Sequence, residues 1–94
     1  MIEFDWDEDK NRRNRGKHGV SFERARSVFT DSFAQESHDD RDDYGEERWL
    51  TVGIAQGELL AVVNIQSGNR YRLISARKAT RRETDAYYQD RGGA

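Results

Sequence analysis

The chemistry this sequence could perform gathers around arginine. Thirteen of its 16 basic residues are Arg. A guanidinium offers phosphate a planar fork, where an ammonium offers only a point charge. Arg77 falls at the end of a predicted strand, beside Lys78, and Arg48 at the start of another. Lys17 and His18 sit between Gly16 and Gly19, in a predicted turn. Glu83 and Tyr87 lie one turn apart on a predicted final helix. If the anionic ligand were RNA, these types could cut it without a metal. A 2′-hydroxyl attacks the adjacent phosphorus, a base takes its proton, cations hold the phosphorane charge, and an acid protonates the leaving oxygen. Arg77 and Arg48 are the candidate forks and Lys17 a phosphate point charge. His18 is the natural proton shuttle near neutral pH. Glu83 is a candidate base and Tyr87 a candidate donor or stacking ring. Arg13, Lys78 and Arg72 are candidate RNA contacts.

Each residue also has a structural use. Arg77 could pair with Glu83, and Arg48 could be a solubility charge on an edge strand. His18 could brace loop backbone. Thr80-x-x-Glu83 fits a capping box, and Tyr87 could pack in the core. Simple alternation along the strand sets Arg72 on the opposite face from Arg77, unless a bulge intervenes.

Charge is segregated along the chain. Residues 10–26 carry net +6, residues 36–47 net −6, and residues 70–82 net +6, within a total of −2. Two basic runs far apart in sequence suit an anionic ligand if they meet in space. The acidic run is expected to be a solvated loop that repels RNA or meets a basic partner segment. His38 with its neighbouring Asp residues lacks the Gly and terminal Glu of a calcium loop, and one His is a poor zinc set. No metal site and no cofactor are expected.

Several classes are excluded. The chain has no cysteine, so disulfide scaffolds and thiolate chemistry are absent. Its longest apolar run, residues 59–63, is too short for a bilayer span. The acidic start lacks a signal-peptide core, so a cytoplasmic location and no membrane contact are expected. Only 17 of 94 residues are Leu, Ile, Val or Phe. A domain this size buries roughly 60% of its unfolded surface, so a covering partner would stabilise it.

The elements that must position these residues follow from pattern. Residues 2–6 alternate as a half-buried strand. Residues 7–17 read as a helix by charge placement alone, with acids first and bases last. Ser21 caps a second helix carrying Phe22, Ala25, Val28 and Phe29 on one face. Strands are predicted over 33–38, 47–54, 58–65 and 71–77, and a helix over 80–89. The expectation is one domain over residues 1–94, with 91–94 frayed. Its class is α+β: an antiparallel meander in the order β-α-α-β-β-β-β-α, with helices packed on one face.

At these residues the chain resembles a known family. Trp6-Asp7-Glu8-x-Lys10, Asn14-x-x-Lys17-His18-Gly19-Val20-Ser21-Phe22 and Ala25-x-x-Val28-Phe29-x-Asp31 are similar to the first half of the BrnT toxins. Gly45-Glu46-x-Arg48 followed by Gly53 is similar to their middle. Arg72-x-Ile74-Ser75-Ala76-Arg77-x-Ala79, with Glu83 and Tyr87, resembles their carboxy-terminal signature. The resemblance implies a RelE-like fold and a ribonuclease toxin of a type II toxin–antitoxin pair that inhibits translation. It also implies a BrnA-like antitoxin with a ribbon-helix-helix domain, in a heterotetramer that reaches operator DNA only through the antitoxin. The competing reading is a non-catalytic co-repressor that holds a DNA-binding partner. A stand-alone RNA-binding module is disfavoured by the acidic total and the lack of an exposed stacking motif.

Overall fold

In a computed structural model, residues 1–39 and 47–90 are described. The acidic run from 40 to 46 and the tail from 91 to 94 lie outside the described residues, and with them the expectations of a solvated loop and a frayed end. The order is β1 (Glu3–Asp5), α1 (Glu8–His18), α2 (Phe22–Ala25), a 3-10 segment (Arg26–Thr30), β2 (Gln35–His38), β3 (Trp49–Ala55), β4 (Glu58–Ser67), β5 (Arg70–Lys78) and α3 (Arg81–Asp90). The class is α+β, as expected.

Two features of the expected architecture are corrected. The sheet, ordered β1-β5-β4-β3-β2, is mixed: β2 to β5 form the antiparallel meander, but β1 joins β5 in parallel, Phe4 opposite Tyr71. Parallel pairing requires a crossover, and α1, α2 and the meander together supply it. The helices also occupy both faces. Val20, Phe22, Ala25 and Val28 cover Ala55, Leu60, Val62, Leu73 and Ala76 on one face, with Phe4, Trp6 and Phe29 packed beside them. On the other, Tyr87 of α3 joins Val52 and Ala61, flanked by Leu50, Ile54 and Leu59. The near-continuous apolar run of β4 records this two-sided burial.

The 3-10 segment lies hard against β3. A Cβ at Gly53 would stand 3.0 Å from Val28 Cγ1 and 3.1 Å from Ala34 Cβ, so a larger residue would have to push these neighbours back by a few tenths of an ångström. Helix α1 has no apolar residue and docks through two buried asparagines. Asn14 Nδ2 donates to the carbonyls of Val20 and Ala76, both at 2.8 Å, and Asn14 Oδ1 accepts from the Ala76 amide at 3.1 Å. The side chain thereby occupies the edge of β5 beyond the end of β1, where backbone groups would otherwise be unpaired. Asn11 Oδ1 accepts from the Phe22 amide at 2.8 Å and its amide donates to Glu23 at 2.9 Å. Asp7 caps α1 by accepting from the amides of Asp9 and Lys10. Gly19 ends the helix at φ +70°, a backbone state that glycine adopts without penalty. Lys17 and His18 are therefore the last turn of α1, where the sequence reading expected a turn between glycines.

Candidate active site

Helix α3 follows directly on β5, and its first turn builds the centre of the candidate site. Thr80 Oγ1 accepts from the Glu83 amide at 3.2 Å, and Glu83 Oε1 accepts from the Thr80 amide at 2.8 Å, the reciprocal pair of a capping box. Glu83 also takes both terminal nitrogens of Arg77, at 2.8 and 3.0 Å. The pair is largely shielded, with side-chain exposures of 29% for Arg77 and 19% for Glu83. Hydrogen bonds from Arg77 are the largest influence on Glu83. Aided by the Thr80 amide, they outweigh burial and hold its carboxyl below the ordinary glutamate value. Glu83 is thus ionised at neutral pH, and it fixes the Arg77 fork in one orientation.

A register shift brings a second arginine to this face. Arg77 pairs with Ala61 and Ser75 with Val63, but Leu73 pairs with Asn64 and Arg72 with Ile65, leaving Ile74 as an extra residue on β5. Ala61, Val63 and Ile65 are alternate residues of β4 and share a face. Arg72, Ser75 and Arg77 therefore share it too, where unbroken alternation would have separated the two arginines. The bulge also accounts for a Ser-Ala-Arg sequence that looked like plain alternation. Arg48, half-buried, stands one residue before β3, and the row through Leu50 and Val52 continues to it on the α3 face.

Other predicted residues are placed differently. Tyr87 is 1% exposed, and its hydroxyl donates to Asp31 Oδ2 at 2.5 Å. That oxygen also accepts from the Ile54 amide at 2.9 Å, so Asp31 ties α3 and the 3-10 segment to β3. Lys78 points to the face opposite Arg77, across from Leu60, and pairs with Glu58 at 3.3 Å, which Arg24 also engages. Arg13 is exposed on α1. Lys17 and His18 follow Asn14 by three and four residues, on the same side of α1, and Asn14 is bonded to the neighbour of Arg77. Sequence reasoning missed the roles of Asn11, Asn14 and Asp31. Asn14 and Asp31 were marked only as members of the motifs that carry the family resemblance, and nothing in the sequence marked Asn11.

Among the described residues no three His, Cys, Asp or Glu side chains are grouped to hold a metal ion. Among them, too, no helix is long and apolar enough to cross a membrane.

The α+β domain thus carries a carboxylate-braced arginine, Arg77, and a second arginine, Arg72, on one sheet face. The family follows from sequence: residues 6–83 match the family model described as "Ribonuclease toxin, BrnT, of type II toxin-antitoxin system". The match covers most of the 94-residue chain, and the chain belongs to that family of toxins, whose type II organisation implies an antitoxin partner. No curated protein matches the chain.

Proposed function

We propose that this chain is an endoribonuclease that cuts RNA by attack of a 2′-hydroxyl on the adjacent phosphorus, without a metal. The P–O5′ bond breaks, leaving a 2′,3′-cyclic phosphate and a 5′-hydroxyl. The observation that carries the reading is the Arg77–Glu83 pair, with Arg72 brought to the same face by the bulge at Ile74. Arg77 neutralises the charge that builds on the phosphorane. Glu83, ionised beside it, takes the 2′-hydroxyl proton as Arg77 turns its fork to the phosphate. His18 and Lys17, at the end of the helix clamped to Ala76, supply the proton for O5′ and a further phosphate charge. Arg48, Arg72 and Arg13 hold the flanking backbone. Lys78 contributes through Glu58, by positioning the end of β5. We further infer a BrnA-like antitoxin in a heterotetrameric complex, translation as the process inhibited, and a cytoplasmic setting.

The purified chain, incubated with RNA in excess EDTA, is expected to release fragments ending in 2′,3′-cyclic phosphate. Loss of cutting on chelation with rescue by magnesium overturns the mechanism. A second reading, a non-catalytic co-repressor, draws on the full commitment of Glu83 to Arg77 and its cap and of the Tyr87 hydroxyl to Asp31. It predicts no cutting by the free chain at any RNA concentration.

A further inference from the structure

On the sheet face opposite Arg77, toward the β2 rim, four polar side chains close into a ring that the proposed chemistry does not use. Asn64 is fully buried; its amide donates to Thr51 Oγ1 at 3.0 Å and to the Val62 carbonyl at 3.1 Å. Thr51 in turn donates to Glu36 Oε2 at 3.1 Å. Gln66 Nε2 donates to the same carboxylate oxygen at 2.8 Å and to Asn64 Oδ1 at 3.0 Å, which closes the circuit. Both Gln66 neighbours are acceptors, which settles the orientation of its amide.

The ring spends every donor it has. The ring leaves Glu36 Oε1 and Gln66 Oε1 unused, two acceptors on side chains joined by the 2.8 Å bond and backed by the buried Asn64 amide. Among the described residues no cation pairs with Glu36. Beside the ring stand two aromatic side chains: His38 and Trp49 are paired across β2 and β3, with ring centroids 4.3 Å apart and planes tilted by 60°, and His38 Nε2 lies 3.6 Å from Glu47 Oε1. They are two residues along from the Glu36–Thr51 pair, and so on the same face. The outermost strand of the described sheet, β2, carries Glu36 and His38, so a partner chain has access along this rim.

We propose that this site receives an arginine side chain of a protein partner, the antitoxin being its natural bearer. Two unused acceptors suit the several donors of a guanidinium, and the face of the Trp49 ring suits a cation laid against it. A guanine edge also offers two neighbouring N–H donors. It would bury the Glu36 charge without neutralising it, whereas a guanidinium does both. The carboxylates of Glu36 and of Glu47, which lies against His38, also oppose RNA phosphates here.

The test reads the indole N–H signals of the intact chain by NMR during titration with acetyl-arginine amide, acetyl-citrulline amide or guanosine 5′-monophosphate. Trp6, on the helix-packed core, is the internal control. The arginine probe is expected to shift the Trp49 indole and Gln66 side-chain amide saturably, at roughly millimolar concentration. Citrulline amide, isosteric but uncharged, should bind at least about tenfold more weakly, since charge-assisted forks are about twice as strong as neutral ones. Glu36→Gln should abolish the arginine response. If that variant disturbs the Trp6 signal, Gln66→Met serves instead. No saturable shift with arginine, equal shifts with citrulline, or a response to the nucleotide in place of arginine each overturn the proposal. None of these readouts depends on RNA cleavage, so the nuclease reading stands or falls separately.

Discussion

The two faces of the sheet are built by different means. Nine buried apolar residues, from α2, the 3-10 segment and the strands, make up the larger core, and partly buried aromatic rings extend it. On the α3 face the buried apolar residues, among those described, are Val52, Ala61 and Tyr87, with Val63 further along β4. There, side-chain polar contacts do the positioning: Arg77 to Glu83, Tyr87 to Asp31, and Gln35 Nε2 to the Ala86 carbonyl at 3.2 Å. Each polar contact adds only about 1 kcal/mol net, while burying one large apolar side chain contributes about 1.5–3 kcal/mol. The difference shows where the fold is decided and where it is tolerant. The large core specifies the domain, and the α3 face can carry arginines because little of the stability rests on it.

Substitutions on the two faces should therefore separate stability from activity. The largest expected effect is Phe22→Ala, which truncates a fully buried ring in the large core. It should cost about 3–5 kcal/mol, most of the stability of a small domain, and show as loss of cooperative melting. Arg77→Ala should act in the opposite sense, leaving a folded chain that binds its antitoxin but cuts RNA about 10²–10³ times more slowly. Arg77→Lys should recover part of that rate, because a point charge cannot reproduce the fork. Melting and cleavage measured on the same samples decide the matter. An Arg77→Ala chain that melts early yet cuts at the parental rate per folded molecule would make the pair structural.

Smaller effects sharpen the same contrast. Asn14→Ala leaves the Ala76 amide and two carbonyls without their partner. It should cost about 1–3 kcal/mol per buried group left unsatisfied, and it should also lower cleavage if Lys17 and His18 serve the site through this clamp. Tyr87→Phe removes the hydroxyl held by Asp31 while keeping the ring in its pocket. A loss of about 1–2 kcal/mol with cleavage nearly intact is expected. A large fall in rate without a fall in stability would return Tyr87 to the chemistry.

The same division governs what could be read from the sequence. The meander was legible because β3, β4 and β5 carry apolar alternation or a continuous apolar run, and the start of α3 because Thr80 and Glu83 have capping-box spacing. Helix α1 was visible through charge placement, but its docking was not. Asparagines that bond to backbone leave no periodic signature, so Asn11 and Asn14 looked like ordinary surface polar residues. The parallel β1–β5 pair and the helices on both faces are long-range outcomes, which local pattern does not encode. Of the candidate site, the Arg77–Glu83 contact was anticipated as a possible salt bridge. The bulge at Ile74 that puts Arg72 on the face of Arg77 entered only as the exception to alternation, because one extra residue in a strand is indistinguishable from regular alternation until its partner strand is known. The ring around Asn64 was equally hidden, since its members come from three strands.

The smallest effect concerns acid. Glu83 has a folded-state pKa below its ordinary value of 4.5, chiefly through Arg77. A depressed carboxyl stabilises the fold at pH above the unfolded value, and that contribution disappears as pH falls through the lower folded value. The window therefore lies below pH 4.5. Glu23 and Glu58 are depressed as well, through Asn11 and Arg24 respectively, and Asp7 through the amides it caps, so the parent chain should lose stability across this whole acid range. Glu83→Gln removes one titrating group from that set. The variant should be less stable than the parent at neutral pH, because Arg77 loses its ionic partner, and the gap should close as the pH is lowered below 4.5. Urea melts of both chains at neutral and acid pH measure it directly. A stability difference that stays constant through the acid range would mean that neither Arg77 nor the Thr80 amide favours the ionised form of Glu83.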